Sequence, residues 1–102
     1  MRIIHGGTVK TWATQYPDAA ESLAAWFKNA RLAAWRNLSE LRSVYPHADP
    51  VAVASGRTVV VFNIRGNRYR LVAAIHFNRQ MLYTLRFMTH AEYSKNRWKE
   101  TL

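Results

Sequence analysis

Between residues 58 and 89 the chain offers three runs of β-branched and aromatic residues, broken only by Gly66-Asn67 and Asn78-Arg79-Gln80. Runs this long with breaks this short leave room for tight hairpins and little else. Residues 58–65, 68–77 and 81–89 are therefore expected to form a meander of three antiparallel strands. Strand side chains alternate, so the turn lengths also predict which of them face one another. A two-residue turn at Gly66-Asn67 sets Arg65 opposite Arg68. It then pairs Ile64 with Tyr69, Phe62 with Leu71 and Val60 with Ala73. A three-residue loop at 78–80 pairs Ile75 with Tyr83, Ala73 with Leu85 and Leu71 with Phe87. Every pair beyond the turn is apolar, whereas a slip of one residue would bring Arg86 among them. One face of the meander is thus core. The reverse face receives Asn63 opposite Arg70 and Val61 opposite Val72. His76, Thr84, Arg86 and Met88 join them, with His90 just past the strand end.

The first half of the chain follows a helical period instead. Residues 1–5 read as an opening strand before Gly6-Gly7. Thr8 is expected to cap a helix that runs to Tyr16, where Pro17 interrupts. Asp18, with Glu21 three residues on, reads as a capping box opening a helix over 18–34. That helix carries Leu23, Trp26, Phe27, Ala30 and Ala34 on one stripe and leaves Lys28 and Arg31 off it. A shorter helix over 38–45 gathers Leu38, Leu41, Val44 and Tyr45 and stops at Pro46. Residues 47–56 look like an irregular loop. Trp12, Trp26 and Trp35 are expected in the core or against a partner. Residues 90–102 are expected to begin with one helical turn and then stay loose. The sum is an α+β fold, with an N-terminal strand and two to three helices packed on one face of a small antiparallel sheet. A chain of 102 residues holds one core, so residues 1–102 are expected to make one domain.

Charge narrows the function. Fifteen Lys and Arg face six Asp and Glu for a net +9, and eleven of the fifteen are Arg. Residues 57–102 hold nine basic and two acidic groups, against six and four in residues 1–56. Arginine presents a planar fork suited to phosphate, so a nucleic acid partner is expected on the second half. Arg70 and Arg86 share the reverse face with Asn63 and approach His90. Arg65, Asn67 and Arg68 stand at the turn, and none of the three strands carries an Asp or Glu. Exposed sheet faces bear charge routinely, but two unneutralised arginines beside an imidazole also describe a phosphate site. Thr89, His90, Glu92, Tyr93 and Lys95 follow within seven residues. There Thr89 is expected to cap the last helix. Metal-free cleavage of RNA needs a base for the ribose 2′-OH, cations for the phosphorane and an acid for the leaving oxygen. Imidazole titrates near neutrality and suits base or acid, Tyr93 could donate a proton, and Lys95 could supply charge.

Other chemistries lack their residues. Cysteine is absent, and the four histidines are scattered with no ligand spacing, so no metal site is expected. No phosphate-loop, dinucleotide or G-x-S-x-G pattern occurs, and no cofactor is expected. No charged-then-apolar leader is read in the sequence and no apolar run nears the roughly 18 residues of a membrane span, so a cytoplasmic place is expected.

The run Val61-Phe62-Asn63-Ile64-Arg65-Gly66-Asn67-Arg68-Tyr69-Arg70-Leu71-Val72, followed by Met88-Thr89-His90-Ala91-Glu92-Tyr93, resembles the HigB toxins of bacterial toxin–antitoxin modules. Trp26 and the Tyr45-Pro46 region fit as well, so the likeness extends over nearly the whole chain. It implies a RelE-like fold and messenger-RNA cleavage in the ribosomal A site. It also implies neutralisation by a HigA-type antitoxin with a helix-turn-helix domain, through which alone any operator DNA would be reached. Arg70 matches the sheet arginine set at the scissile phosphate, and Asn67 matches the Gly-Asn of the family. His90, Tyr93 and Lys95 fall where such enzymes keep further catalytic groups. Arg65, Asn67, Arg68, Arg86 and Asn63 are then expected to hold the RNA backbone. Two other readings use the same residues: a non-catalytic RNA- or ribosome-binding protein, and an interaction protein whose basic surface docks an acidic partner.

Overall fold

A computed structural model describes residues 1–102. It contains one five-stranded sheet in the order β1-β5-β4-β3-β2, built from β1 (Arg2–Ile4), β2 (Asp49–Ala52), β3 (Thr58–Ile64), β4 (Tyr69–His76) and β5 (Met81–Thr89). The three strands of the meander pair antiparallel as expected. Strand β1 runs parallel to β5, so the sheet is mixed rather than purely antiparallel. Helices α1 (Gly7–Gln15), α2 (Ala20–Leu32) and α3 (Leu38–Val44) precede the meander. No helix is long and apolar enough to cross a membrane.

The predicted core face is present. Leu23, Trp26 and Ala30 of α2 are buried over it, and Phe27 packs partly buried beside them. The helix ends at Leu32, where Ala33 turns extended, so Ala34 falls off the stripe and is exposed. Trp26 meets Phe62 edge-on at 5.4 Å, and Phe87 is stacked between Trp12 at 5.5 Å and Tyr69 at 5.2 Å. Each such aromatic pair adds about 0.5–1.5 kcal/mol beyond the area it buries. Trp35 is buried in the same cluster.

The first hairpin keeps the expected register, from Ile64 opposite Tyr69 to Val60 opposite Ala73. The second keeps only Leu71 opposite Phe87. A bulge between Val72 and Ala73 then shifts the pairing, so that Ala73 meets Thr84 and Ile75 meets Leu82. The cause lies in the loop, which runs from Phe77 to Gln80 rather than over three residues. Gln80 adopts a left-handed conformation (φ 55°), and its amide donates to Trp35 O at 2.7 Å and Phe77 O at 2.8 Å. A bulge places one extra residue on one strand, here Leu85. Thr84 therefore moves to the core face, where its hydroxyl donates to His5 O at 3.1 Å, and Leu85 joins the reverse face.

Four further expectations are corrected. Residues 47–56 contain β2, an edge strand in which Pro50 sits opposite Val60, where a missing N–H costs no ladder bond. Neither Thr8 nor Asp18 caps a helix. The N-caps of α1 and α2 are Gly6 and Ala19 without side-chain bonds, while Thr89 does cap α4 (His90–Ser94), accepting from Glu92 N. Asp18 instead binds across the molecule to Tyr69 and Arg65. Nor is the tail loose. After α4 a 3-10 turn over Arg97–Thr101 buries Trp98 against Val59, Val61, Val72 and Met88. Alternation placed those apolar side chains on the reverse face, and exposing them together would be costly. The tail covers them, so the reverse face is a small second core with a polar border.

Candidate functional site

Arg70 is the charged side chain buried most deeply, with 8% of its surface exposed. The β3–β4 turn holds it. Arg65 and Gly66 take positive φ (53° and 63°), a conformation glycine accepts freely. The chain then doubles back, so that Asn67 reaches the guanidinium three residues on. Nη2 donates to Asn67 Oδ1 at 2.5 Å, and Nη1 donates to Asn67 O at 3.1 Å and Tyr69 O at 3.0 Å. None of the ion pairs in the molecule involves Arg70. Its charge is oriented by neutral acceptors but not cancelled. Nε and one Nη2 hydrogen have no protein acceptor, and two such donors suit one phosphate. The Tyr93 ring lies 5.5 Å from the guanidinium carbon, which adds a cation–π contact.

These groups border a cleft of about 370 Å³ that also includes Arg42, His47, Asp49 and Asn63. Burial, and after it the Asp49 carboxylate, push the Tyr93 phenol above its ordinary value, with Arg70 pulling the other way. Tyr93 therefore holds its proton at neutral pH and is a donor. The cleft thus combines a fixed cation, a second and exposed one in Arg42, a phenol, an imidazole and the Asp49 carboxylate.

The expected site residues are divided among four places. Arg70, Tyr93 and Asn63 meet in this cleft, with Asn67 as the bracket of Arg70. Arg86 and Lys95 line a separate cleft of about 430 Å³ with Glu92, Arg97 and Trp98. Arg86 is held only by neutral groups, Leu85 O at 2.9 Å and Thr101 Oγ1 at 3.4 Å. Tyr93 and Trp98 stack at 5.4 Å, one ring bordering each cleft, so this pair forms the partition. Arg70 and Arg86 thus share a face but not a cavity. Arg65 and Arg68 share the one carboxylate of Asp18 at 2.7 and 3.6 Å, so the charge of the turn arginines is partly offset from the helical layer. His90 is exposed at the start of α4 with Nδ1 3.3 Å from Ser94 Oγ, and it lines neither cleft. No group of three or more His, Asp or Glu side chains converges anywhere.

Sequence reasoning missed Arg42, His47 and Asp49. Arg42 lies on α3 and the other two in the stretch read as a loop, and their neighbours Arg70 and Tyr93 are more than twenty residues away. The sequence carried no clear signal for them, since Pro50 and the apolar run Val51-Ala52-Val53 hide the alternation of a strand.

Comparisons with known proteins place the chain as a whole in a family. The family model of HigB toxins, the RelE-like toxic component of a toxin–antitoxin system, matches residues 19–96. The mRNA interferase toxin HigB of Escherichia coli K12 is 30% identical over 93 residues, covering 91% of this chain and 88% of that protein. The mRNA interferase HigB of Shigella flexneri matches to the same extent, and that of Escherichia coli O6:H1 is 25% identical over 95 residues. The matched span runs from the start of α2 through the Arg70 turn to the end of α4, and by this likeness the chain belongs to the HigB family of RelE-like toxins.

Proposed function

We propose that the protein is an endoribonuclease toxin that cuts messenger RNA in the ribosomal A site without a metal ion. In this reading a HigA-type antitoxin neutralises it. The observation that carries the proposal is Arg70: a buried guanidinium, aimed by three neutral acceptors and in no ion pair, beside a phenol that keeps its proton. The names of the relatives, which describe mRNA interferases, give the substrate class.

A base withdraws the 2′-OH proton, O2′ bonds to phosphorus, and the P–O5′ bond breaks as an acid protonates O5′. The products are a 2′,3′-cyclic phosphate and a 5′-hydroxyl. Arg70 holds the non-bridging oxygens and stabilises the added charge of the phosphorane. Tyr93 donates toward phosphate or leaving oxygen. His47 takes the acid–base part beside them, supported by its place in the same cleft. His90 and Lys95 serve the RNA strand outside this cleft, His90 from the start of α4 and Lys95 with Arg86 on backbone phosphates.

Single-turnover cleavage on programmed ribosomes, with analysis of the product end groups, tests the proposal. Cyclic-phosphate and 5′-hydroxyl ends are the expected result, and 3′-hydroxyl with 5′-phosphate ends would overturn the metal-free 2′-OH mechanism. Message left whole while the protein stays bound to ribosomes would make it a binding protein. Co-expression with a helix-turn-helix antitoxin is expected to yield a complex and abolish cleavage.

A further inference from the structure

At the far end of the reverse face lies a further cleft, of about 270 Å³, lined by His5, Arg57, His76 and Tyr83 with Ala74 and Leu85. Four separate segments supply its polar groups: the residue after β1, the residue before β3, the last residue of β4, and β5. Each of these side chains carries an N–H or O–H donor. No Asp or Glu lines the cleft, and none of the ion pairs in the molecule involves Arg57 or either histidine. Such a set suits an anion, and its guanidinium opposes a metal cation.

Two irregularities of the backbone deliver these groups. Pairing carried on unbroken from Leu71 and Phe87 would set Tyr83 opposite Ile75, toward the helices. The bulge between Val72 and Ala73 sets it opposite Ala74 instead, on the reverse face, where its ring meets His76 edge-on at 5.4 Å. Bulges beside active sites re-aim side chains in this way. His5 takes a left-handed conformation (φ 63°) that strains an ordinary residue, although glycine, which accepts it freely, follows at once. Its carbonyl accepts from Thr84 Oγ1 at 3.1 Å and from Thr8 N at 3.0 Å, so the backbone that carries the imidazole is held in place.

We propose that this cleft holds a backbone phosphate of RNA, remote from the one at Arg70. The inference rests on the RNA reading of that face and extends its footprint. His76 stands six residues beyond Arg70 on β4, about 20 Å at the rise of a strand, and Arg86 lies between them opposite Val72. Arg57 falls level with His76 when the pairing of Val60 with Ala73 is extended. Arg70, Arg86 and Arg57 thus succeed one another along one side of the sheet, and β3, β4 and β5 carry no Asp or Glu. A polyanion can meet all three positions, and Arg and Tyr side chains bind phosphate oxygens whatever the base sequence. The phosphate belongs to the message or to ribosomal RNA. An acidic segment of an antitoxin is the competing occupant, and the alignment with the phosphate contacts read at Arg70 and Arg86 favours RNA.

The test uses the whole protein with Arg57→Gln and His76→Gln, singly and together, both at exposed positions outside the Arg70 cleft. Arg31→Gln, which removes the same charge from an exposed position on α2, is the control. Affinity is measured over a series of salt concentrations for programmed ribosomes and for a 2′-O-methyl oligonucleotide, which lacks the nucleophile and stays whole. The double variant is expected to bind ribosomes about fivefold more weakly or worse. Arg57→Gln is expected to lower the slope of log affinity against log salt by about one. A loss on both ligands assigns the phosphate to the message, and a loss on ribosomes alone assigns it to ribosomal RNA. Folded variants with wild-type affinity and slope on both ligands overturn the proposal. So does an equal loss in the control, or a loss confined to binding of a helix-turn-helix antitoxin. Cleavage does not enter the measurement, so a message left whole would sink the nuclease reading and leave this site standing.

Discussion

The two faces of the sheet are built from the same three strands and differ in what they bury. The helix-covered face gathers eighteen buried residues around Trp26, Phe62 and Leu71, among which no side chain is charged. The reverse face buries six, Val53, Val59, Val61, Val72, Met88 and Trp98, with Arg70 at their border. The first face has enough apolar area to carry the fold. The second has just enough to hold the tail in place, and that tail brings Tyr93 to Arg70 and separates two clefts. In the proposed reading, stability and chemistry fall on opposite sides of one layer. A guanidinium can be held nearly dry on the reverse face because a thin cover there leaves it one open side.

Substitutions on adjacent β4 residues test this division most strongly. Arg70→Ala is expected to lower cleavage on ribosomes by about 10²–10³-fold or more and abolish growth arrest, while thermal unfolding stays cooperative. Its neighbour Leu71→Ala points to the other face and is expected to cost about 2–5 kcal/mol of stability by denaturant titration, with the remaining folded protein cleaving normally. If Arg70→Ala unfolded the chain, the faces would not be separable in this way.

Next in size is Trp98→Ala. Loss of a buried indole from a small cluster is expected to cost about 3 kcal/mol and also to lower cleavage, since Tyr93 loses its stacking partner. Tyr93→Phe preserves the ring and removes only the hydroxyl. It is expected to reduce single-turnover cleavage by at least about tenfold with an unchanged melting temperature. Equal cleavage by both variants and wild type would reduce the partition to a structural cover.

The smallest effect concerns Asp18, which joins the helical layer to the turn of Arg70. The Tyr69 hydroxyl first, and then Arg65 and Arg68, hold its carboxyl below the ordinary aspartate range, with burial opposing them. A depressed carboxyl stabilises the fold fully above its unfolded value near pH 3.9. That contribution is lost as pH falls through the lower folded value. Asp18→Asn is therefore expected to make stability less steep in pH below about 4, as read from urea midpoints at a series of pH values. An identical slope would show that Asp18 carries no link between the layers.

Legibility followed interaction range. The pairs Phe62–Leu71 and Val60–Ala73 could be read because alternation and a short turn leave one register that buries every apolar side chain. The α2 stripe and the Thr89 cap were readable for the same reason, since each involves residues within one or two turns. Thr84 and Leu85 were misplaced because Gln80 decides the loop by bonding Trp35, forty-five residues away. Asp18 fits a capping pattern, yet Tyr69 and Arg65 offered it better partners. His47 and Asp49 could not be assigned to the Arg70 cleft from any spacing.

The amino-acid order by itself determined the α+β class, the core face, the concentration of arginine in the second half and the candidacy of Arg70 and Tyr93. These follow from side-chain period, turn chemistry and formal charge, which act between near neighbours along the chain. Only the tertiary structure decided which cations remain uncancelled, which residues enter the cleft and which donor is left without an acceptor. Those outcomes depend on competition among groups distant in sequence for the same few hydrogen bonds, and that competition has no trace in local pattern.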